Sequence, residues 1–276
     1  MRATARLVAR ADRHGGTTLD VLRGESPLLL RQVQGRDGGV TVYVVGGAAG
    51  PLAGDDLRLD VEVGPAAAVR VHTVAASIAL PGCPGAVSRM LVRATVSEGA
   101  TLYWLPEQLV AAAGCAHVAE SEVEVADSGV VYWRDELICG RHQEQPGDVQ
   151  VDTWVDLGGR PLLRQTVAVG PNAPGWDGPA VLGGAAATGS LLVIDPTRPV
   201  EPPSVRGTVT RMPLAGGPAT LWNATAPHAH ALRTVLESAA RHPRALRGPD
   251  GRAVLPAPDG IATPVEGEAT AAVRVG

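Results

Sequence analysis

Two clusters of residues in this chain have the types and spacing to do chemistry. The first is Arg134-Asp135-Glu136, directly behind the aromatic pair Tyr132-Trp133. Structurally it reads as a strand with a charged outward face; chemically it reads as a hard-oxygen site for a divalent ion passing through an interface. The second is His228-Ala229-His230. Residues two apart on a helix point about 200° apart, so this pair chelates one ion only if it precedes the first turn. The third histidine and acidic ligands of a zinc hydrolase stand in no nearby motif. Two solvent-exposed histidines at a helix start are the favoured reading. His14, His72, His117 and His142 are scattered singly on strands or turns and read as packing or surface residues.

The glycine-rich run from Gly46 to Asp56 has the look of a phosphate cradle. It lacks the G-x-G-x-x-G spacing and feeds a strand instead of a helix, so no helix N-terminus faces an anion. It reads as a tight connection that needs positive φ at several glycines. All 24 basic residues are Arg. Schiff-base lysines, P-loop lysines and Ser–Lys dyads are thereby excluded. Gly99-Ala100-Thr101 and Thr188-Gly189-Ser190 have none of the context of a nucleophile elbow. Cys83, Cys115 and Cys139 form no C-x-x-C pair and read as small buried apolar residues, in a reducing compartment. Cys139, beside Gly140-Arg141-His142, is a transient soft-metal contact at most.

The elements that position these residues are strands. The chain has 276 residues, 34 Gly, 23 Pro and no Phe, with 45% hydrophobic and 19% charged residues, the balance of a globular protein rich in turns. Leu57, Leu59, Val61 and Val63 alternate with Arg58, Asp60 and Glu62, which predicts a strand over 56–63. Similar alternation predicts strands over 4–10, 17–23, 28–34, 40–45, 68–74, 88–97, 121–126, 129–138, 148–157 and 161–169. Turn signals separate them at Asp37-Gly38-Gly39, Val63-Gly64-Pro65, Asp127-Ser128-Gly129 and Gly158-Gly159. One polar face per strand predicts an all-β architecture of stacked, mainly antiparallel sheets, sandwich-like or β-helix-like.

Ala231, Leu232, Val235, Leu236, Ala239 and Ala240 fall instead at helical spacing, which predicts one amphipathic helix over 227–241. Thr225 is its expected cap, Arg241 and His242 suit its negative end, and Pro243 stops it. Gly170–Gly189 reads as a loop, and the chain beyond about 247 as a loosely ordered tail of a single 1–276 domain. No fixed repeat stands out. The net charge of −4 leaves no electrostatic footprint for nucleic acid. Four arginines within Met1–Arg13 leave no signal-peptide core, and no apolar run reaches a membrane span, so a cytoplasmic protein is expected. On these residues alone no catalytic apparatus is visible.

A series of ordered motifs adds to this reading. Gly46-Gly47, Gly54-Asp55-Asp56-Leu57, Val63-Gly64-Pro65-Ala66-Ala67, and Thr73 followed by Ala76-Ser77 together resemble the N-terminal signature of the urease accessory proteins called UreD or UreH. Leu102-Tyr103-Trp104-Leu105-Pro106-Glu107-Gln108 is similar to that family's L-E-W-L-P-Q. The stretch from Trp133 to Gly140-Arg141, then Gly147-Asp148, then Gly159-Arg160-Pro161-Leu162-Leu163-Arg164, continue the resemblance, which spans roughly residues 1–170. The chain departs from the pattern at Ile78-Ala79-Leu80, which replaces a basic–aromatic pair. It departs again at Gln165, where many members carry an acidic residue.

The resemblance implies a β-rich scaffold and no enzyme activity. Its implied partners are the accessory proteins UreF and UreG and the subunits of apo-urease. No cofactor is implied to bind stably; a nickel ion is implied to pass transiently through an internal passage, with Asp55, Ser77 and Asp135 at passage positions. Oxygen donors suit that task because a thiolate site would trap nickel. Two further readings stand beside it: a metal-dependent hydrolase using His228 and His230, and an all-β interaction module with another partner.

Overall fold

The computed structural model describes residues 1–34 and 39–240. In chain order the strands are β1 (Arg2–Ala11), β2 (Thr17–Arg23), β3 (Leu28–Gln34), β4 (Val40–Gly46), β5 (Asp56–Val63) and β6 (Ala68–Thr73). They continue as β7 (Ser77–Ala79), β8 (Ser88–Val96), β9 (Thr101–Trp104), β10 (Leu109–Ala111), β11 (Ala116–Val125) and β12 (Val130–Ile138). The last six are β13 (Asp148–Leu157), β14 (Arg160–Val169), β15 (Ala187–Ile194), β16 (Ser204–Arg206), β17 (Val209–Leu214) and β18 (Ala219–Ala226). A single helix among the described residues, α1 (Ala229–Ala240), follows them.

Two sheets result. One has seven strands in the order β14-β13-β11-β8-β5-β1-β2. The other has eleven and runs β16-β17-β18-β15-β12-β9-β6-β4-β3, with β10 joining β12 and β7 joining β10. From β4 to β13 the chain crosses repeatedly from one sheet to the other, so that it winds as a coil. Asp56, Arg89, Val118 and Gln150 stack in parallel register on the first sheet. Val40, Val69, Leu102 and Val131 do so on the second. The spacing between stacked residues is uneven, which is why no fixed repeat is visible in the sequence.

The all-β, stacked-sheet expectation holds, but the pairing inside the sheets differs from it. Antiparallel pairs such as β1–β2, β13–β14 and β15–β18 lie toward the flanks, whereas β5–β8–β11–β13 and β4–β6–β9–β12 are parallel. Strands with one polar face usually mean antiparallel pairing, because parallel sheets are normally covered on both faces by crossover helices. Here each crossover is a strand of the opposite sheet. A parallel sheet thereby keeps its outer face in water.

The core fills the space between the sheets. Leu7, Leu59, Val63, Val92, Val125 and Val155 from one sheet meet Val42, Val69, Leu102, Trp133, Leu192 and Ile194 from the other, all buried. With no Phe available, Trp104 and Trp133 supply the bulk and stack at 5.1 Å between ring centroids.

Several strands escaped the sequence reading. β15 begins at Ala187, inside the expected Gly170–Gly189 loop, and it and β18 are buried on both faces along most of their length. Such strands lack the period-two signal. The helix forms nearly where expected, but Thr225 lies in β18 and does not cap it. His228 does: its Nδ1 accepts the Ala231 N–H at 3.2 Å while its carbonyl accepts the Leu232 N–H. Arg241, His242, Pro243, the tail, and Asp37 and Gly38 of the expected turn lie outside the described residues. Residues Met1–Ala239 form one compact unit. Among the described residues no helix is long and apolar enough to cross a membrane.

Candidate functional site

Between the sheets lies a cavity of about 950 Å³. It runs across the coils, from the β1–β5 side to β14 and β18, and Asp55, Ser77 and Asp135 all line it. The structure therefore brings the three expected passage positions to one cavity, with Ser77 at its exposed edge. It does not gather them into a chelate: among the described residues no group of three or more His, Cys, Asp or Glu side chains is placed to hold a metal ion.

Asp55 is held by the turn that precedes β5. Gly54 adopts φ +100°, which a side chain would resist, and this turn aims the next residue inward. Its Oδ1 pairs with the Met1 ammonium at 2.5 Å and its Oδ2 accepts the Leu52 N–H at 2.9 Å. Burial pulls the carboxyl upward, but the ammonium and the Leu52 amide outweigh it and hold Asp55 below the ordinary carboxylate range. It is an ionised oxygen donor that already has two partners.

Asp135 faces inward from β12, on the side of Val131 and Trp133. Its Oδ2 accepts the Trp133 Nε1–H at 3.1 Å and the Thr153 hydroxyl at 3.1 Å. Burial pushes this carboxyl up to about 6, against the lowering effect of those two bonds and of Arg134. Ser190 and Asn223 sit beside it in register on β15 and β18, so oxygen-bearing side chains continue along the same wall. Its neighbour Glu136 belongs to the opposite face. There it is buried and bound by Arg134 at 3.0 Å and by Arg233 of α1 at 2.5 Å. The two carboxylates of the triplet are thus held by different partners, although both residues line the cavity.

Ser77 begins the short β7 and is exposed at the rim. The loops carrying the recurring motifs are stitched together around it. The Thr73 hydroxyl donates to the Ala75 carbonyl and accepts the Glu107 N–H at 2.9 Å, and the Ser77 N–H donates to the Gln108 carbonyl at 2.9 Å. Arg134 donates to the carbonyls of Leu105 and Pro106, and Arg233 grips both oxygens of Glu107. Leu105 and Pro106 are thus fixed beside the rim by their carbonyls, while Trp104 belongs to the core. The departing segment at Ile78 lies at the same rim, half exposed, together with Leu52 and Val74. Gln165 lines the cavity in register with Thr153.

The remaining candidates have structural explanations. Gly140 adopts φ +92°, and a Cβ there would run into the Glu144 carbonyl oxygen. Arg141 is exposed and clasps both oxygens of Glu144, closing the same turn. Cys115 and Cys139 are buried, each with its thiol pushed up to about 11 chiefly by burial, so neither is a thiolate. Cys83 is exposed, against expectation, because it lies in the turn before β8. His228 and His230 are exposed with rings stacked at 6.5 Å, and Nδ1 of His228 is committed to the helix cap.

Three residues of the site carried no sequence signal. Thr153 and Arg233 act across long sequence distances. His117, expected as a packing or surface residue, is buried, and it lies on the cavity wall with its Nδ1 2.9 Å from Ser88 Oγ.

Comparison with known proteins agrees with the motif order. The profile of the family described as UreD urease accessory protein matches residues 1–255. The chain belongs to the UreD family. The match runs well past residue 170, where the legible motifs end. The urease accessory protein UreD of Streptomyces coelicolor is 43% identical over 244 residues, 87% of this chain and 95% of that protein. UreD 3 of Streptomyces griseus is 45% identical over 248 residues, 87% of this chain and 96% of the relative. UreD 2 of Saccharopolyspora erythraea is 42% identical, with 87% of each chain covered.

Proposed function

We propose that this UreD-family chain is a docking body in urease maturation, which passes nickel toward the urease active site and makes or breaks no covalent bond. Its partners in this reading are UreF, UreG and the subunits of apo-urease, and it acts in the cytoplasm. The observation that carries the proposal is the single inter-sheet cavity onto which Asp55, Ser77 and Asp135 all open. A solenoid-like stack is suited to this, since parallel coils leave a continuous space between their two sheets once the inward residues become small or polar.

The oxygen donors fit a moving cargo. Each acidic group is already held by protein donors, so a cation meets one carboxylate at a time and is never locked into a full set of ligands. Dissociation then stays fast. The hydrolase reading has no comparable support, because its two histidines face solvent and one of them caps a helix. Deleting the chain from cells that co-express urease with its other accessory proteins tests the proposal. Urease made without it is expected to be nickel-poor and inactive, and fully loaded urease would overturn the assignment.

A further inference from the structure

We infer that His117 is a nitrogen ligand on the wall of the cavity, which makes the passage selective for nickel over magnesium. The inference rests on the passage reading above and adds to it the residue that tells one divalent cation from another. Carboxylate and hydroxyl oxygens such as those of Asp55, Ser77 and Asp135 accept magnesium readily, whereas an imidazole favours nickel. Among the described residues that line the cavity, His117 is the one imidazole, and no cysteine joins it.

The ring is built for the task. His117 faces inward from β11 on the same side as Ala119 and Ser121, which line the same cavity, and it is 3% exposed. The hydroxyl of Ser88, itself fully buried, donates to the Ala116 carbonyl at 3.2 Å and lies 2.9 Å from His117 Nδ1. In the proposed tautomer the Ser88 proton goes to the Ala116 carbonyl, Nδ1 is the protonated nitrogen and donates to Ser88 Oγ, and Nε2 carries the lone pair. This is how a supporting hydrogen bond fixes the tautomer of a metal-binding histidine. Burial also lowers the imidazole to about 4, so protons do not compete for that lone pair near neutral pH. A single imidazole holds nickel weakly enough to release it onward.

Nuclear magnetic resonance on the full-length, nitrogen-15-labelled chain tests this, with nickel chloride and magnesium chloride as probes and His117→Gln to assign the ring signals. The ring of His117 is expected to show a protonated Nδ1 and a bare Nε2. Nickel should broaden its signals, and a tenfold excess of magnesium should leave them in place. Ser88→Ala should weaken the nickel effect about tenfold by freeing the tautomer. A ring that nickel leaves untouched, or one with the proton on Nε2, overturns the inference. If Asp135→Asn still lowers the nickel content of urease in that case, the selectivity assignment alone has failed; if it does not, the passage itself has failed.

Discussion

Thr153 and Asp135 join the two sheets. The hydroxyl on β13 donates to the carboxylate on β12 at 3.1 Å, spanning the space that is elsewhere filled by valine and leucine. A polar tie at this place keeps an acidic group inside the molecule where packing alone would exclude it. That placement has a thermodynamic cost and, in the proposed passage, a functional use, and the two can be measured separately.

The cost is visible in the pH dependence of stability. The Asp135 carboxyl sits at about 6, above its ordinary value of 3.8, so the folded state holds its proton more tightly than the unfolded state does. Its favourable contribution is complete below about pH 4 and is lost as pH rises through about 6. Asp135→Asn keeps an oxygen that can accept from both Trp133 and Thr153 but removes the charge. The variant is expected to be more stable than the wild type at pH 7.5, by on the order of 2 to 3 kcal/mol, and equally stable at pH 4. Thermal melts at the two pH values check this, and a shift that does not change with pH would contradict it.

Arg233 is the fastening of α1. It binds Glu136, whose side chain is 1% exposed, and spans both oxygens of Glu107. Arg233→Ala leaves Glu136 buried with one fewer cation and should destabilise the chain by about 3 kcal/mol in denaturant unfolding. Arg233→Lys should recover only part of that, because an ammonium cannot span both carboxylates in the geometry of a guanidinium. Equal stability of the wild type and the alanine variant would show that the helix is not held through this residue.

Gly140 and Arg141 share a motif but not a role. Gly140→Ala must accommodate a left-handed backbone and a contact with the Glu144 carbonyl oxygen, and is expected to cost about 2 kcal/mol or more. Arg141→Ala should change stability little, since the ion pair it loses is exposed to water. The two melting temperatures, compared side by side, decide whether the glycine or the arginine shapes the turn.

The histidine pair separates the readings directly. His228→Ala removes a helix cap and should cost about 1 kcal/mol, while His230→Ala should be close to neutral. Urease activation by both variants should match the wild type. A large loss of activation at normal protein levels would return these histidines to the functional site.

Much of the fold is legible in the sequence because burial on one face writes a period-two pattern, as in Leu57-Leu59-Val61-Val63. Pairing direction is not, because β5 alternates in the same way whether β8 runs parallel or antiparallel to it. β15 and β18 are silent for a further reason, being buried on both faces along most of their length. Of the candidate site, Asp55, Ser77 and Asp135 are reached through their motifs, and the structure puts them on one cavity. His117, Thr153 and Arg233 are not legible, since their roles come from Ser88, Asp135 and Glu107, which meet them only after the coils stack.

The nickel content of urease matured with Asp55→Asn or Asp135→Asn in place of the wild-type chain tests the central claim most directly. Because Asp135→Asn is expected to be the more stable protein, a loss of function there cannot be laid to misfolding. Both variants should still co-purify with UreF, and the urease they mature should hold several-fold less nickel. Fully loaded urease from both variants would contradict a nickel path through this cavity.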